Sequence, residues 1–267
     1  TGSTESTGNG KQDLWVLKLD KKGEIVWDKT YGGPENDQGI QILQKMDTGN
    51  FLIGGWTESF GSIFADYWLL ELNQNGSLVW DKTYGGDDVD EIDSIIIDSE
   101  KNLLVLGHTY SKGSGGKDAW LLKLDTEGNI IWDKTYGGNQ DDQLFQIIND
   151  KDSYYLIGYT CSKGSGGKDA WLLKLDYNGE EQYDMLYGDK NSEFATSFVL
   201  LDNQNIVFCG QKIRYCSICS MGGFSSFWIA YLNPDFEIIG QNTFFESKNS
   251  CPSKIIKTKS NHFIVIG

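Results

Sequence analysis

Histidine is nearly absent, with two in 267 residues. It is the commonest metal ligand and the usual general base near neutral pH, so metal- or His-dependent catalysis has little to draw on. No nucleophile elbow and no zinc-protease motif occurs. Proline is almost as scarce, three residues against 32 glycines. Chain reversals therefore fall to glycine, as in proteins of many short strands joined by tight turns. No apolar run approaches the roughly 20 residues of a membrane-spanning helix. Lys and Arg number 23 against 38 Asp and Glu, a formal net charge of -15. Such a surface repels phosphate backbones and excludes nucleic acid as an expected partner. It suits cations, basic partners or a soluble existence outside the cell. The first residue is Thr1 and no signal peptide is visible, so targeting is not read from the chain.

Aromatic residues are plentiful at 13%, nine of them Trp, within a hydrophobic content of 39%. That is enough apolar surface for a sizeable core. The aromatics recur. DLWVLKLD at Asp13–Asp20 returns as DYWLLELN at Asp66–Asn73, as DAWLLKLD at Asp118–Asp125 and Asp169–Asp176, and as SFWIAYLN at Ser226–Asn233. Trp15, Trp68, Trp120, Trp171 and Trp228 mark a period of roughly fifty residues. Each copy is followed by a second string: EIVWDKTYGG, SLVWDKTYGG, NIIWDKTYGG, then the worn EEQYDMLYG and EIIGQNTFF. An apolar run after an acidic gap (IQIL, SIII, QII, SFVL) and a run ending in Gly55, Gly107, Gly158, Gly210 or Gly267 complete the unit.

Four short strand-like runs per unit, with Gly-centred hairpin turns and no helical period, predict a four-stranded antiparallel sheet repeated radially. The expected fold is an all-β, five-bladed β-propeller forming a single domain over residues 1–267. Its units are approximately 1–55, 56–107, 108–158, 159–210 and 211–267. The interval from Trp228 round to Trp15 matches the others. The C-terminal Gly-ending strand and the N-terminal Trp strand are therefore expected to pair and close the ring, removing open edges. The Trp of each copy is expected between neighbouring blades.

The combination DAWLLKLD, GNIIWDKTYGG, an acidic gap, an apolar strand and LIGYTCSKGSGG resembles the repeats of bacterial and archaeal secreted β-propeller proteins. The resemblance covers nearly the whole chain. It implies the propeller fold and an extracellular or cell-surface setting, without naming a ligand. KLDKKGEIVWDK also looks like the repeat of quinoprotein-type propellers, although nothing here matches a quinone pocket.

The strands, taken from the expected channel outward, are A (apolar), B (Gly-ending), C (Trp) and D (WDKTYGG). The long D-to-A and B-to-C loops then share one end, the expected binding face. An acid stands at the start of strand A in four units: Asp37, Asp90, Asp142 and Glu193. These are candidates for binding a ligand or a cation, with Ca²⁺ the natural guest for hard carboxylate oxygens, or else repeated strand caps. The Asp before each Trp strand (Asp13, Asp66, Asp118, Asp169) reads as a strand-start residue. The SKGSGGKD loops read as connectors, because no helix follows them. His108 stands where Trp56 and Tyr159 stand in sister units and reads as a packing substitution. Cys161, Cys216, Cys219 and Cys251 gather near the same loops, and disulfides, free thiols and a metal site remain open. The expected function is a non-catalytic binding or scaffolding module, a monomeric domain of a larger protein, taking a glycan, protein or cation. The alternative is a glycosidase-like hydrolase with carboxylates in a central funnel.

Overall fold

The computed structural model describes residues 1–214, 224–244, 251–260 and 262–267. Secondary structure there is entirely β, in two compact units, Thr1–Tyr136 and Gly137–Gly267.

The first unit holds three sheets. β1 (Gly2–Thr4), β2 (Asp13–Leu19) and β3 (Ile25–Tyr31) form a three-stranded sheet in sequence order. β4 (Asp37–Gln44), β5 (Phe51–Thr57), β6 (Asp66–Leu72) and β7 (Leu78–Tyr84) form the second. β8 (Asp90–Ile97), β9 (Leu103–Thr109), β10 (Asp118–Leu124) and β11 (Ile130–Tyr136) form the third. The second unit repeats the plan. β12 (Asp142–Asp150), β13 (Ser153–Thr160), β14 (Asp169–Asp176) and β15 (Glu181–Tyr187) make one sheet. β16 (Ser192–Leu200), β17 (Ile206–Arg214), β18 (Phe224–Leu232) and β19 (Ile238–Phe244) make the next. β20 (Lys254–Lys257) pairs with β21 (Phe263–Ile266). All pairings within these sheets are antiparallel, and each four-stranded sheet runs A-B-C-D as the sequence predicts.

Register is constant across the repeats. Gly55, Gly107, Gly158 and Gly210 stand opposite Trp68, Trp120, Trp171 and Trp228. In the first sheet Gly2 of β1 takes that place opposite Trp15. β1 thus occupies the edge of β2 that the sequence assigns to the Gly-ending strand at Phe263–Gly267.

Side-chain alternation puts Trp68 and Leu70 of β6 against Leu14 and Val16 of the first sheet. Tyr67 and Leu69 of the same strand face Trp120 and Leu122 of the third. The Tyr67 and Trp120 rings lie 4.7 Å apart. In the second unit Trp228 packs with Tyr187, Phe208 and Phe198. Trp68, Trp120 and Trp228 therefore face the preceding sheet of their own unit, and burying each contributes on the order of 2–3 kcal/mol. No sheet of the first unit stands on that side of the first sheet, and Trp15 is 38% exposed there. Neighbouring A strands also interlock through polar groups. Gln41 bonds both the N–H and the C=O of Ile95, and Gln146 does the same to Phe198.

The hairpin turns demand left-handed backbone. Gly76 and Gly128 meet this in the C-to-D turns, whereas Phe236 adopts φ 65° at the same place. In the A-to-B turns Gly49 is matched by Lys101 and Gln204, and Lys151 is likewise at positive φ in the shorter turn between Asp150 and Ser153. A side chain there costs about 1 kcal/mol relative to glycine.

Candidate functional site

Antiparallel order places the B-to-C and D-to-A loops at one end of every sheet. The WDKTYGG string of strand D, which leads up to that end, proves to be a set of joints. Its Tyr reaches the next sheet: Tyr31 donates its hydroxyl to the Gly76 carbonyl, Tyr84 to Gly128 and Tyr187 to Phe236. Burial pushes the Tyr31 phenol up to about 12, and those of Tyr84 and Tyr187 higher still. The Asp of the string accepts the indole N–H of the Trp strand, as in Trp68–Asp81, Trp120–Asp133 and Trp171–Asp184. Lys112 and Lys163 of the B-to-C loops lie over the Trp120 and Trp171 indoles, and Lys212 near the end of β17 lies over Trp228, with ammonium-to-centroid distances of 4.8, 5.0 and 4.2 Å. Over Trp68 that place is taken by Phe60.

The first Gly of the pair lies against two carboxylates. A Cβ on Gly32 would stand 2.3 Å from Asp13 Oδ1 and 2.6 Å from Asp37 Oδ2. Gly85 is likewise flanked by Asp66 and Asp90, and Gly188 by Asp169 and Glu193. The second Gly donates its N–H to the strand-A acid: Gly33 to Asp37, Gly86 to Asp90, Gly138 to Asp142. Where that glycine becomes Asp189, the acid becomes Glu193 and still accepts its N–H, at 3.0 Å.

The four candidate acids are accordingly buried, each at 1% exposure or less. Asp37 also accepts the hydroxyls of Thr57 and Ser59. Asp90 accepts Ser111 Oγ, and Asp142 accepts Ser162 Oγ with the Cys161 and Ser162 amides. Each of the three aspartates ties its own D-to-A loop to the B-to-C loop beside it. Burial is the main cause raising the Glu193 carboxyl, with the Asp189 and Asp169 charges adding and the Asp189 N–H and Lys212 opposing. Burial likewise raises Asp66 and Asp169, against N–H donation from Ser62 and Ser165. Among the described residues no three His, Cys, Asp or Glu side chains gather as a metal-holding group.

The strand-start aspartates serve as expected. Asp13 Oδ2 accepts the Asn9 and Gly10 amides, and Asp66, Asp118 and Asp169 accept Ser62, Ser114 and Ser165 N–H. The SKGSGGKD connectors therefore wrap a carboxylate at their base. Asp13 Oδ1 is buried without a hydrogen-bond partner.

One position at this end differs in every sheet. Trp56, His108, Tyr159 and Gln211 each follow the register glycine on strand B. His108 is buried as a packing residue, yet its Nδ1 lies 3.2 Å from Asp93 Oδ2 and its Nε2 3.8 Å from Glu91 Oε2. Tyr159 meets Phe145 and Phe194, with the Lys168 ammonium 3.6 Å from its ring centroid. The sequence marks His108 as a packing substitution; the signal for more is the paired change to Asp93 on the facing strand.

Cys161, Cys209 and Cys251 carry free thiols, half-buried, buried and exposed respectively. Cys216 and Cys219 lie outside the described residues, so the candidate grouping with Cys161 and Cys251 is described for those two alone. Cys209 joins the core between Val207 and Ile255.

At the opposite end, which sequence reasoning passed over as short turns, the first unit has a cleft of about 650 Å³ between its A-to-B turns. A smaller hollow of about 370 Å³ lies among the corresponding turns of the second unit, beside Asp202, Lys257 and Phe263.

No family model matches the chain. It is 23% identical over 175 residues to the regulatory protein FlaEY of Caulobacter vibrioides, a match spanning 55% of this chain and 18% of that protein. Among solved structures it is similar to the Neurospora crassa Pan2 WD40 domain, with a TM-score of 0.51 and 10% identity over 96% of this chain and 68% of that one. It is also similar, at a TM-score of 0.42 and 12% identity, to an exo-β-1,3-galactanase from Clostridium thermocellum, covering 89% of this chain and 60% of that one. The likeness to the WD40 domain shows an all-β, propeller-like fold of repeated sheets.

Proposed function

We propose that this chain is a non-catalytic binding or scaffolding module whose five units act as five blades. It presents a protein or glycan partner with the end carrying the B-to-C and D-to-A loops. One observation carries the reading. The recurring residues are taken up in joining strands and sheets, while one backbone position beside them bears Trp56, His108, Tyr159 and Gln211 in turn. A constant frame with a varied side chain at a fixed register is how a scaffold distributes recognition. Glu91 and Asp93 around His108, with exposed Asp87 and Asp88 in the preceding loop, favour a partner with basic groups. A cation at Asp37, Asp90, Asp142 or Glu193 would have to displace the loop amides and hydroxyls that those carboxylates now hold. An extracellular or cell-surface setting fits the acidic composition and the repeat resemblance.

The test is a glycan array and a pull-down with basic peptides, run beside a broad hydrolase screen. The expected result is binding that an Asp93→Asn/His108→Gln variant weakens, without turnover. Turnover of any glycan by the isolated chain would replace this reading with the hydrolase one.

A further inference from the structure

The cleft of the first unit lies between the turn joining β4 to β5 and the turn joining β8 to β9. Its walls are apolar: Leu43, Ile95, Ile96, Ile97 and Leu103, with Met46 at the lip, 95% exposed. About 650 Å³ lies within the range of small-molecule sites.

Most charge around it is already neutralised. The buried Lys45 ammonium bonds Glu71 at 2.9 Å and the Thr126 carbonyl at 3.3 Å. Asp98 pairs with Lys123 at 3.2 Å and accepts the Glu100 and Asn102 amides. Lys101 and Asp47 remain at the rim. They are 3.8 Å apart, with side chains 69% and 43% exposed, so their attraction is weak.

Lys101 adopts φ 70° at the turn position that Gly49 fills, at φ 71°, in the turn that lines the other side of the cleft through Lys45, Met46 and Asp47. Gln204 shares this left-handed place in the second unit, so what is particular to Lys101 is its cationic side chain at the rim. Glycine would relax the backbone there; the chain instead carries a cationic side chain on the rim of an apolar hollow.

From this geometry we propose that the cleft binds a small amphipathic anion. Its apolar body lies along Leu43, Ile96 and Met46, and its anionic head pairs with Lys101 in place of Asp47. This site is at the opposite end of the sheets from the proposed partner surface, and neither reading depends on the other.

Isothermal titration with decanoate, and with decanol as its uncharged counterpart, tests the assignment. Lys101→Gly restores the residue of the sister turn and should fold at least as well, as its denaturation midpoint will report. Decanoate is expected to bind the wild-type chain more tightly than decanol. Lys101→Gly should weaken decanoate about tenfold, the loss of one charge-assisted contact, and leave decanol unchanged. Asp47→Asn, which removes the competing carboxylate, should tighten decanoate. No binding of either compound, or equal affinity of wild type and Lys101→Gly for decanoate, overturns the proposal.

Discussion

The hydroxyl of Tyr187 donates to the carbonyl of Phe236 at 2.8 Å, joining the outer strand of one sheet to the hairpin turn of the next. Tyr31–Gly76 and Tyr84–Gly128 repeat the joint in the first unit. Tyr84 is 8% exposed, so Tyr84→Phe removes a buried donor and strands an acceptor. The expected cost is about 1–2 kcal/mol, read from urea denaturation with the slope unchanged. Unchanged stability would mean that water replaces the phenol and the joint is incidental.

The same phenols set an alkaline limit. Their folded pKa values lie above the ordinary 10, Tyr31 at about 12 and Tyr84 and Tyr187 higher, in each case chiefly through burial. Below pH 10 both folded and unfolded chains keep the proton, and the contribution is fully present. As pH rises from 10 through 12 the unfolded chain ionises first, and stability falls. Melting temperature should therefore drop steeply across pH 10–12, and less steeply in Tyr84→Phe. Parallel pH curves for the two proteins would contradict this.

Two left-handed side chains should respond to glycine in opposite ways. Lys101→Gly removes backbone strain at an exposed turn and is expected to stabilise by about 0.5–1 kcal/mol. Phe236→Gly removes the same strain but also a buried ring, 4% exposed, that packs on Tyr183 and Tyr155 with centroids 4.9 and 6.4 Å away. The core loss is the larger, and a net cost of about 2–4 kcal/mol is expected in chemical denaturation. Stabilisation by both variants would show that turn strain outweighs packing, and destabilisation by both would show that Lys101 carries no strain to relieve.

The contrast also shows what the sequence could and could not convey. Trp68, Trp120 and Trp171 announced the sheets because one indole per unit recurs in one register, and strand order A-B-C-D followed from alternating direction. The acids Asp37, Asp90, Asp142 and Glu193 were legible as a repeated position. Their commitment to Gly33, Gly86, Gly138 and Asp189 amides was not, since it depends on how the loop folds back. The cleft was hidden because its walls come from turns far apart in the chain.

Asp169 and Glu193 face each other across Gly188, and burial raises both carboxyls. A carboxyl raised in the folded state contributes stability below its ordinary pKa and loses it as pH rises through the folded value. Asp169→Asn keeps an acceptor for the Ser165 amide, which now bonds Oδ2 at 2.9 Å. It also offers Glu193 a donor in place of a second charge. The variant should have a higher urea midpoint than wild type at pH 8 and the same midpoint at pH 3. A midpoint lowered at pH 8 would mean that the pair is not repulsive.

Cys209 and Cys251 should differ sharply in reactivity. Cys251 is exposed, whereas Cys209 is fully buried beside Val207 and Ile255, and burial pushes its thiol up to about 11. The thiolate is the reactive form, so at pH 8 Cys209 lacks both access and ionisation. In a Cys216→Ser/Cys219→Ser variant, a disulfide reagent should label Cys251 within seconds to minutes and Cys161 more slowly. Cys209 should be labelled only as fast as its sheet opens. Adding urea should then accelerate Cys209 alone by orders of magnitude, as peptide mapping over time will show. Labelling of Cys209 as fast as Cys251 in the folded protein would place β17 outside a closed core.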